Sequence, residues 1–594
     1  MASYWDDSLL AQRSTQYGIL FKKNTPFFFT SKLSNPPAYD STARLRTYTY
    51  MTSYLKSQGY FYSNIKDTVV HTFYKGQHRV SVTDTVYPGK VTIIDTEKYA
   101  FNVPRLTRLA DSTQNASLIA PHKSPFAQDL IAAELDRLVA LYRQRGFFLL
   151  TRDNLVAEAD TLDQSLLTFS ADPFEQAQKI SEAIERKKQN PTTVITIMQR
   201  ENTDTSFQSL PDSAYFKRYR TGHIYYYPEA DIRLTAEKIM EDTPGLMRFD
   251  TGGYTMFYKK GLFKMNALKR MTYILPGTIY NEEAFNRTIT AFNQVPSWNQ
   301  VDYRTQLRND SVDFYMMLSP ARPQNMTFSL EGSRNTGDFL STGTLIGAAF
   351  NIIYNNRNVL FKSAHQLTAT LSNGVEFTLD KNYPFLQTFL TSLNLAYTIP
   401  NTLLPIKTKR QHVRGTMKFD LSPNYSERNN FFRVRSLTAG AGVEWKRKNK
   451  IYQFRFPNVE LYSLDTLPLL IEAFKANPFL RTSFNTGSVI SMQAAMSSTV
   501  NGKNNINNTL YYRFAGELAP IGAVATRTFY GFFKAEGEVR KQFQLTKSTS
   551  FALRAFSGVG ISFSKNPAFG STLPFFKQFI AGGPNSMRAW GLRQ

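Results

Sequence analysis

The chain has 594 residues, too many for one hydrophobic core, so several domains are expected. It holds no cysteine and only six scattered histidines, which excludes a disulfide framework, a thiolate metal site and a cysteine nucleophile, so neither a metal nor a cofactor is expected. A net charge of +24 would ordinarily point to nucleic acid, but no run of five or six like charges exists and the aromatics form no stacking platform; anionic lipid head groups are the expected counterpart.

No stretch of about 18 apolar residues is present, so no transmembrane helix is predicted. The opening Met1-Ala2-Ser3-Tyr4-Trp5-Asp6-Asp7 has neither a basic nor an apolar leader region, and a preceding segment, with a cysteine if the protein is lipid-anchored, is expected upstream.

The first half mixes helices and strands. A helix is predicted over residues 41–58, with Leu45, Tyr48 and Leu55 on one side; it ends in Gly59-Tyr60-Phe61 and enters a strand pair near 65–73 and 78–86. Ile131, Leu135, Leu138 and Tyr142 line a second helix, which ends at Arg145-Gly146-Phe147-Phe148 and leads into a strand. A polar, helix-prone stretch at about 160–190 reads as an insertion. In a looser third copy, Phe285, Ile289 and Phe292 line a helix that passes through Val295-Pro296-Ser297-Trp298 into strands near 300–307 and 312–318.

One motif in this half is a decoy. Asp250-Thr251-Gly252 spells the aspartic-protease triplet, but such enzymes need two facing triplets and no second occurs, so no enzyme activity is expected.

From residue 326 the texture changes to alternation with period two. Val413, Gly415, Met417, Phe419 and Leu421 interleave with His412, Arg414, Thr416, Lys418 and Asp420, and similar segments span 437–445, 510–518 and 533–539. About eleven such segments fit between 326 and 563, each near the ten residues that cross an apolar band at a tilt. Turns rich in Asn, Gly, Ser and Pro separate them. So many charges opposite the apolar face suit a wet lumen better than a soluble sandwich, and an aromatic content of 14% suits the girdles of a membrane barrel. An odd count implies an unfinished barrel, since an open edge in lipid leaves backbone groups unpaired. The chain then closes with Gly582-Gly583-Pro584-Asn585-Ser586-Met587-Arg588-Ala589-Trp590.

The repeated helix, Gly-aromatic turn and strand pair resembles the POTRA domain, a β-α-α-β-β module found in tandem before outer-membrane barrels. Gly59, Phe61, Gly146 and Phe147 mark its turns. POTRA-like units, barrel strands and the terminal motif together resemble the BamA/TamA superfamily of outer-membrane protein insertases. In that family the sixth extracellular loop carries Arg-Gly-Phe or Arg-Gly-Tyr after a Gly-Gly turn and folds back into the lumen. Gly582, Gly583, Met587, Arg588 and Trp590 take these places here, with Ala589 departing from the usual glycine.

The resemblance implies a fold and a function. The fold is α+β POTRA repeats followed by a transmembrane antiparallel β-barrel, sixteen strands in the family, with this loop after the eleventh. The expected division is 1–87, 88–218 with the insertion, 219–322, and an incomplete barrel over 323–594. Met326, Phe328 and Leu330 would form one side of a lateral seam. Expected partners are unfolded outer-membrane protein clients, a TamB-like periplasm-spanning protein or other assembly-machine subunits, and the bilayer, with no nucleic acid. The location is the outer membrane with periplasmic N-terminal units, and three units resemble the TamA-like type, including TamL lipoproteins, more than the five-unit BamA type. The rivals are a two-partner-secretion transporter, which has two POTRA units and an N-terminal plug helix, and a passive porin or receptor barrel.

Overall fold

The computed structural model describes residues 3–6 and 38–579, apart from 75–76, 120–123, 161–180, 182–184, 186–188, 201–210, 232, 336–344, 361, 382–383, 409–410, 477–485, 503–507, 521–528, 547 and 565–571. Most of the polar insertion therefore lies outside the described residues. Two compact units form, residues 1–220 with 278–283, and residues 221–277 with 284–594.

The first unit holds two sheets. Strands β1 (Ser3–Asp6), β2 (Ala38–Tyr39), β3 (Asn64–Tyr74) and β4 (Gln77–Tyr87) run in the order β2-β1-β4-β3. The Ser41–Ser57 helix starts where the Asp40 carboxylate accepts the Thr42 N–H at 2.8 Å, an N-cap bond. Contrary to the periodicity, no residue of this helix is buried, and Leu45 and Tyr48 are exposed. Gly59 has φ +86°, which only glycine adopts without strain, and a Cβ there would lie 2.7 Å from the Phe126 carbonyl.

The second sheet has β5 (Ile93–Ala100), β6 (Leu155–Asp160) and β7 (Thr192–Gln199) in the order β5-β7-β6, with β5 parallel and β6 antiparallel to the central strand. The helices Pro104–Asp111 and Gln128–Arg143 lie between β5 and β6 in sequence, giving β-α-α-β-β. They cover the sheet because Leu106, Leu138, Tyr142 and Phe147 pack with Ile195 and Ile197 into one buried cluster. Phe61 packs against that cluster, its ring 5.0 Å from that of Phe126.

The cluster encloses charge. Fully buried Glu134 accepts from Arg137 Nε and from the Leu118 N–H, each at 2.9 Å, while the Ser117 hydroxyl donates to Glu97 at 2.6 Å. Burial pushes the Glu97 carboxyl above its ordinary range, and the Ser117 bond only partly opposes this.

The second unit begins with a five-stranded sheet of β8 (Arg220–Tyr227), β9 (Met247–Thr251), β10 (Tyr254–Tyr258), β11 (Trp298–Arg308) and β12 (Ser311–Pro320), ordered β11-β12-β8-β10-β9. The helices Met265–Met271 and Glu282–Asn293 precede β11. Without the β9–β10 hairpin, the order of β8, β12 and β11 repeats the second sheet: first strand, third, second. The hairpin explains the protease-like triplet, since Asp250-Thr251-Gly252 enters its turn, where Gly252 and Gly253 take φ +56° and +82°.

Among the described residues eleven antiparallel strands follow, paired in chain order from β13 to β23. They are β13 (Gln324–Asn335), β14 (Leu345–Val359), β15 (His365–Thr378), β16 (Leu386–Thr408), β17 (Gln411–Arg428), β18 (Phe432–Arg447), β19 (Lys450–Thr466), β20 (Gly487–Asn501), β21 (Thr509–Ala519), β22 (Phe532–Gln544) and β23 (Ser550–Ser562). The eleven barrel segments read from the sequence are thus present. Register separates two faces cleanly. Across β17 to β23 one row reads Met417, Val443, Phe454, Ala494, Gly516, Ala535 and Val559. The adjacent row, on the other face, reads Lys418, Gly442, Arg455, Gln493, Glu517, Lys534 and Gly560.

The raised Glu97 pKa fixes a sign. A carboxyl whose folded pKa exceeds its unfolded value carries no penalty below the ordinary glutamate range and its full penalty above the folded value. Glu97→Gln, which can still accept from Ser117, is therefore expected to raise the melting temperature of the helical signal near about pH 7 and leave it unchanged near about pH 4, as read by circular dichroism.

Candidate functional site: sheet edge, charged face and hinge

Among the described residues β13 has a single partner, β14, so its other side is an open edge. Met326, Phe328 and Leu330 share the apolar face of that strand, opposite Tyr354, Ile352 and Phe350, and are 56%, 60% and 81% exposed. Thr327, Ser329 and Glu331 alternate with them on the polar face. An edge of this kind in hydrocarbon leaves N–H and C=O groups that only another strand can satisfy.

The charged face is internally paired. Arg455 meets Asp420 at 2.6 Å, Arg513 meets Glu536 at 2.5 Å, and Arg540 and Arg554 both reach Glu538, at 2.6 and 2.5 Å. Gly440 and Gly442 provide the space beside Arg455, since a Cβ on Gly440 would overlap its guanidinium. A cavity of about 420 Å³ opens on this face, lined by Lys418, Asp420, Glu444, Arg455, Arg513 and Glu517 among others.

The third α+β region is fastened to one end of the strands. Arg414, at the start of β17, donates through Nη1 to the Arg270 carbonyl at 2.6 Å and the Thr272 carbonyl at 3.0 Å, and its guanidinium sits 4.3 Å from the Tyr273 ring centroid. These carbonyls close the Met265–Met271 helix, where a cation is favoured. The Tyr273 hydroxyl donates to Asn401 Oδ1 at 2.8 Å, and the Asn401 amide donates back to the Arg270 carbonyl. Arg270 donates to the Ser363 carbonyl at 3.0 Å and lies 3.3 Å from His365, whose other ring nitrogen meets the Tyr397 hydroxyl at 2.6 Å. A second seam joins the Lys264 N–H to the Lys362 carbonyl at 2.9 Å and the Asn358 amide to the Leu262 carbonyl at 2.7 Å.

Residues 353–594 match the model of the Omp85 superfamily domain. The C-terminal part of the chain, residues 353–594, thus carries an Omp85 superfamily domain. A search by sequence among curated proteins found no match. Among solved structures, this chain is similar to BamA from Haemophilus ducreyi lacking POTRA domains 1–3, at 11% identity, covering 84% of this chain and 76% of that one with a TM-score of 0.41. It is similar to CdiB from Escherichia coli at 11% identity, covering 93% and 80% with a TM-score of 0.39. BamA POTRA3–5 from Haemophilus influenzae matches at 14% identity over 49% and 84%, with a TM-score of 0.23.

The site residues read from the sequence fall into three groups. Met326, Phe328 and Leu330 stand on the open edge. Gly59 and Gly146 take left-handed turns, φ +86° and +106°, and Phe147 is buried in the core that Phe61 packs against. Gly582, Gly583, Met587, Arg588 and Trp590 lie outside the described residues. Sequence reasoning missed this fastening, because Arg270, His365, Tyr397, Asn401 and Arg414 converge from distant segments, and Arg414 looks like one more charge on a strand face that also carries Lys418 and Asp420. Arg414→Ala removes two charged hydrogen bonds and a cation–π contact, so a local loss of roughly 2–3 kcal/mol is expected. Hydrogen exchange should quicken in residues 268–273 while the β18–β22 ladder stays protected.

Proposed function

We propose that this chain, with its Omp85 superfamily domain, is an outer-membrane protein assembly or translocation factor that receives unfolded client polypeptides on periplasmic POTRA domains and passes them to the membrane at the edge of its barrel. The observation that carries the reading is the open side of β13, whose apolar residues face outward. Pairing at a strand edge gives a client main-chain hydrogen bonds without demanding a particular sequence, which suits many different barrel clients. In hydrocarbon those bonds are worth most, since each unpaired backbone group costs several kcal/mol. The same alternation that orders this sheet would order an incoming strand beside it.

The α+β regions support the receiving role. The three sheets end in the strands β2, β3, β5, β6, β9 and β11, each paired with one other strand among the described residues. Three such regions favour the TamA-like arrangement, and a TamB-like periplasm-spanning protein or other assembly-machine subunits are the proposed docking partners. The net charge of +24 would hold the protein against anionic lipid. Arg588, on its glycine turn, would brace the terminal loop against a carboxylate by a charge-assisted bond. No bond-making chemistry is assigned.

Removing residues 1–218 tests the reading against a passive pore. The shortened chain should still migrate as a heat-modifiable barrel, while client proteins disappear from the outer membrane. Normal client levels with the shortened barrel in place would contradict an assembly role.

A further inference from the structure

The segment after β23 lies on the charged face of the sheet. Leu573 rests on Gly560, and Phe579 rests on Gly558, where a Cβ on either glycine would overlap the apolar side chain. The Phe579 ring also meets Phe556 edge-on at 6.0 Å, with the Lys534 ammonium 4.3 Å from its centroid. Between them the single turn Phe575–Lys577 places the Phe576 ring 5.4 Å from Tyr462. Glycine inside a strand weakens it unless something needs the space, and here the loop stem occupies it.

Lys577 fixes this stem electrostatically. Its side chain is nearly buried, and Nζ lies 2.7 Å from Glu460 Oε1 on β19 and 2.8 Å from Glu517 Oε1 on β21, spanning β20 between them. Both carboxylates are held for it. Glu460 accepts from the Asn458 amide at 2.7 Å, and Glu517 accepts from the Ser491 hydroxyl at 2.7 Å and the Gln493 amide at 3.1 Å. Without the ammonium, two carboxylates would face one space with no cation in it, a costly arrangement in a partly dry setting.

We propose that Lys577 is a positioning residue of the terminal loop: its ion triad with Glu460 and Glu517, backed by Leu573 and Phe579 on the Gly558 and Gly560 strip, docks the stem from which the Gly582-Gly583 motif departs. The functional consequence rests on the assembly reading above; the docking itself does not.

Hydrogen exchange of the full chain in lipid nanodiscs tests this. Lys577→Met keeps the bulk and removes the charge, and exchange across 572–579 is expected to rise on the order of tenfold or more, the scale of deleting one partner of a buried charge pair. Lys577→Arg should retain most of the protection. The reversed pair Lys577→Glu with Glu517→Lys should regain part of what Lys577→Glu alone loses. The β19–β21 ladder provides the fold check in each case, and if Lys577→Met fails to fold, Glu460→Gln with Glu517→Gln removes the same attraction without changing volume. Protection unchanged in Lys577→Met or in the double glutamine variant would overturn the assignment, as would Lys577→Arg behaving like Lys577→Met. Quickened exchange with normal client assembly would count against the functional consequence alone.

Discussion

Backbone hydrogen bonding across strands is the constraint from which the rest of this protein follows. A sheet surrounded by hydrocarbon has no water to satisfy its N–H and C=O groups, so each strand needs a partner on both sides; β14 to β22 have two by neighbour-to-neighbour pairing in chain order, while β13 and β23 have one each among the described residues. Fixing the ladder fixes the register, and a period of two then gives each face one chemistry. The row from Met417 to Val559 and the row from Lys418 to Gly560 differ by one residue on every strand, yet one is wholly uncharged and the other carries four ionisable side chains. A slip of one residue on any strand would exchange them.

The charged face then sets its own demand. Carboxylates and cations crowded on a partly shielded surface must neutralise one another, and they do so across strands, Asp420 with Arg455, Glu536 with Arg513, and Glu538 with Arg540 and Arg554. Glu460 and Glu517 find their cation outside the sheet, in Lys577. A loop stem thus completes the electrostatics of the wall, while glycines at Gly558 and Gly560 give it the clearance to lie flat. At one end of the strands the Arg414 clamp uses the same chemistry, a guanidinium on helix-terminal carbonyls, to join the preceding α+β region to the sheet.

Local regularity was legible in the sequence, and convergence was not. The strands β17, β18, β21 and β22 and the apolar face of the Gln128–Arg143 helix announce themselves by period, because each depends on residues a few positions apart. Leu45 and Tyr48 show how period alone misleads, since a stripe predicts burial only if something covers it. The β9–β10 hairpin was hidden behind a catalytic-looking triplet whose glycines serve a turn. The Arg414 clamp and the Lys577 triad unite residues far apart in the chain, Arg414 with Arg270 and Lys577 with Glu460, for which one sequence has no local sign; the nearest hint was the glycine alternation at Gly558 and Gly560 on a charged strand face.

The central claim is that the open edge of β13 receives a client strand. Because the chain has no cysteine, single cysteines at Met326, Thr327, Phe328, Ser329 and Leu330 can be paired with single cysteines along a stalled client strand and oxidised in the membrane. Edge pairing predicts disulfides confined to one antiparallel or parallel register, with partners alternating between the two faces as the cysteine moves by one residue. Disulfides scattered without register, or none at β13 while the client remains bound to the α+β region, would contradict it.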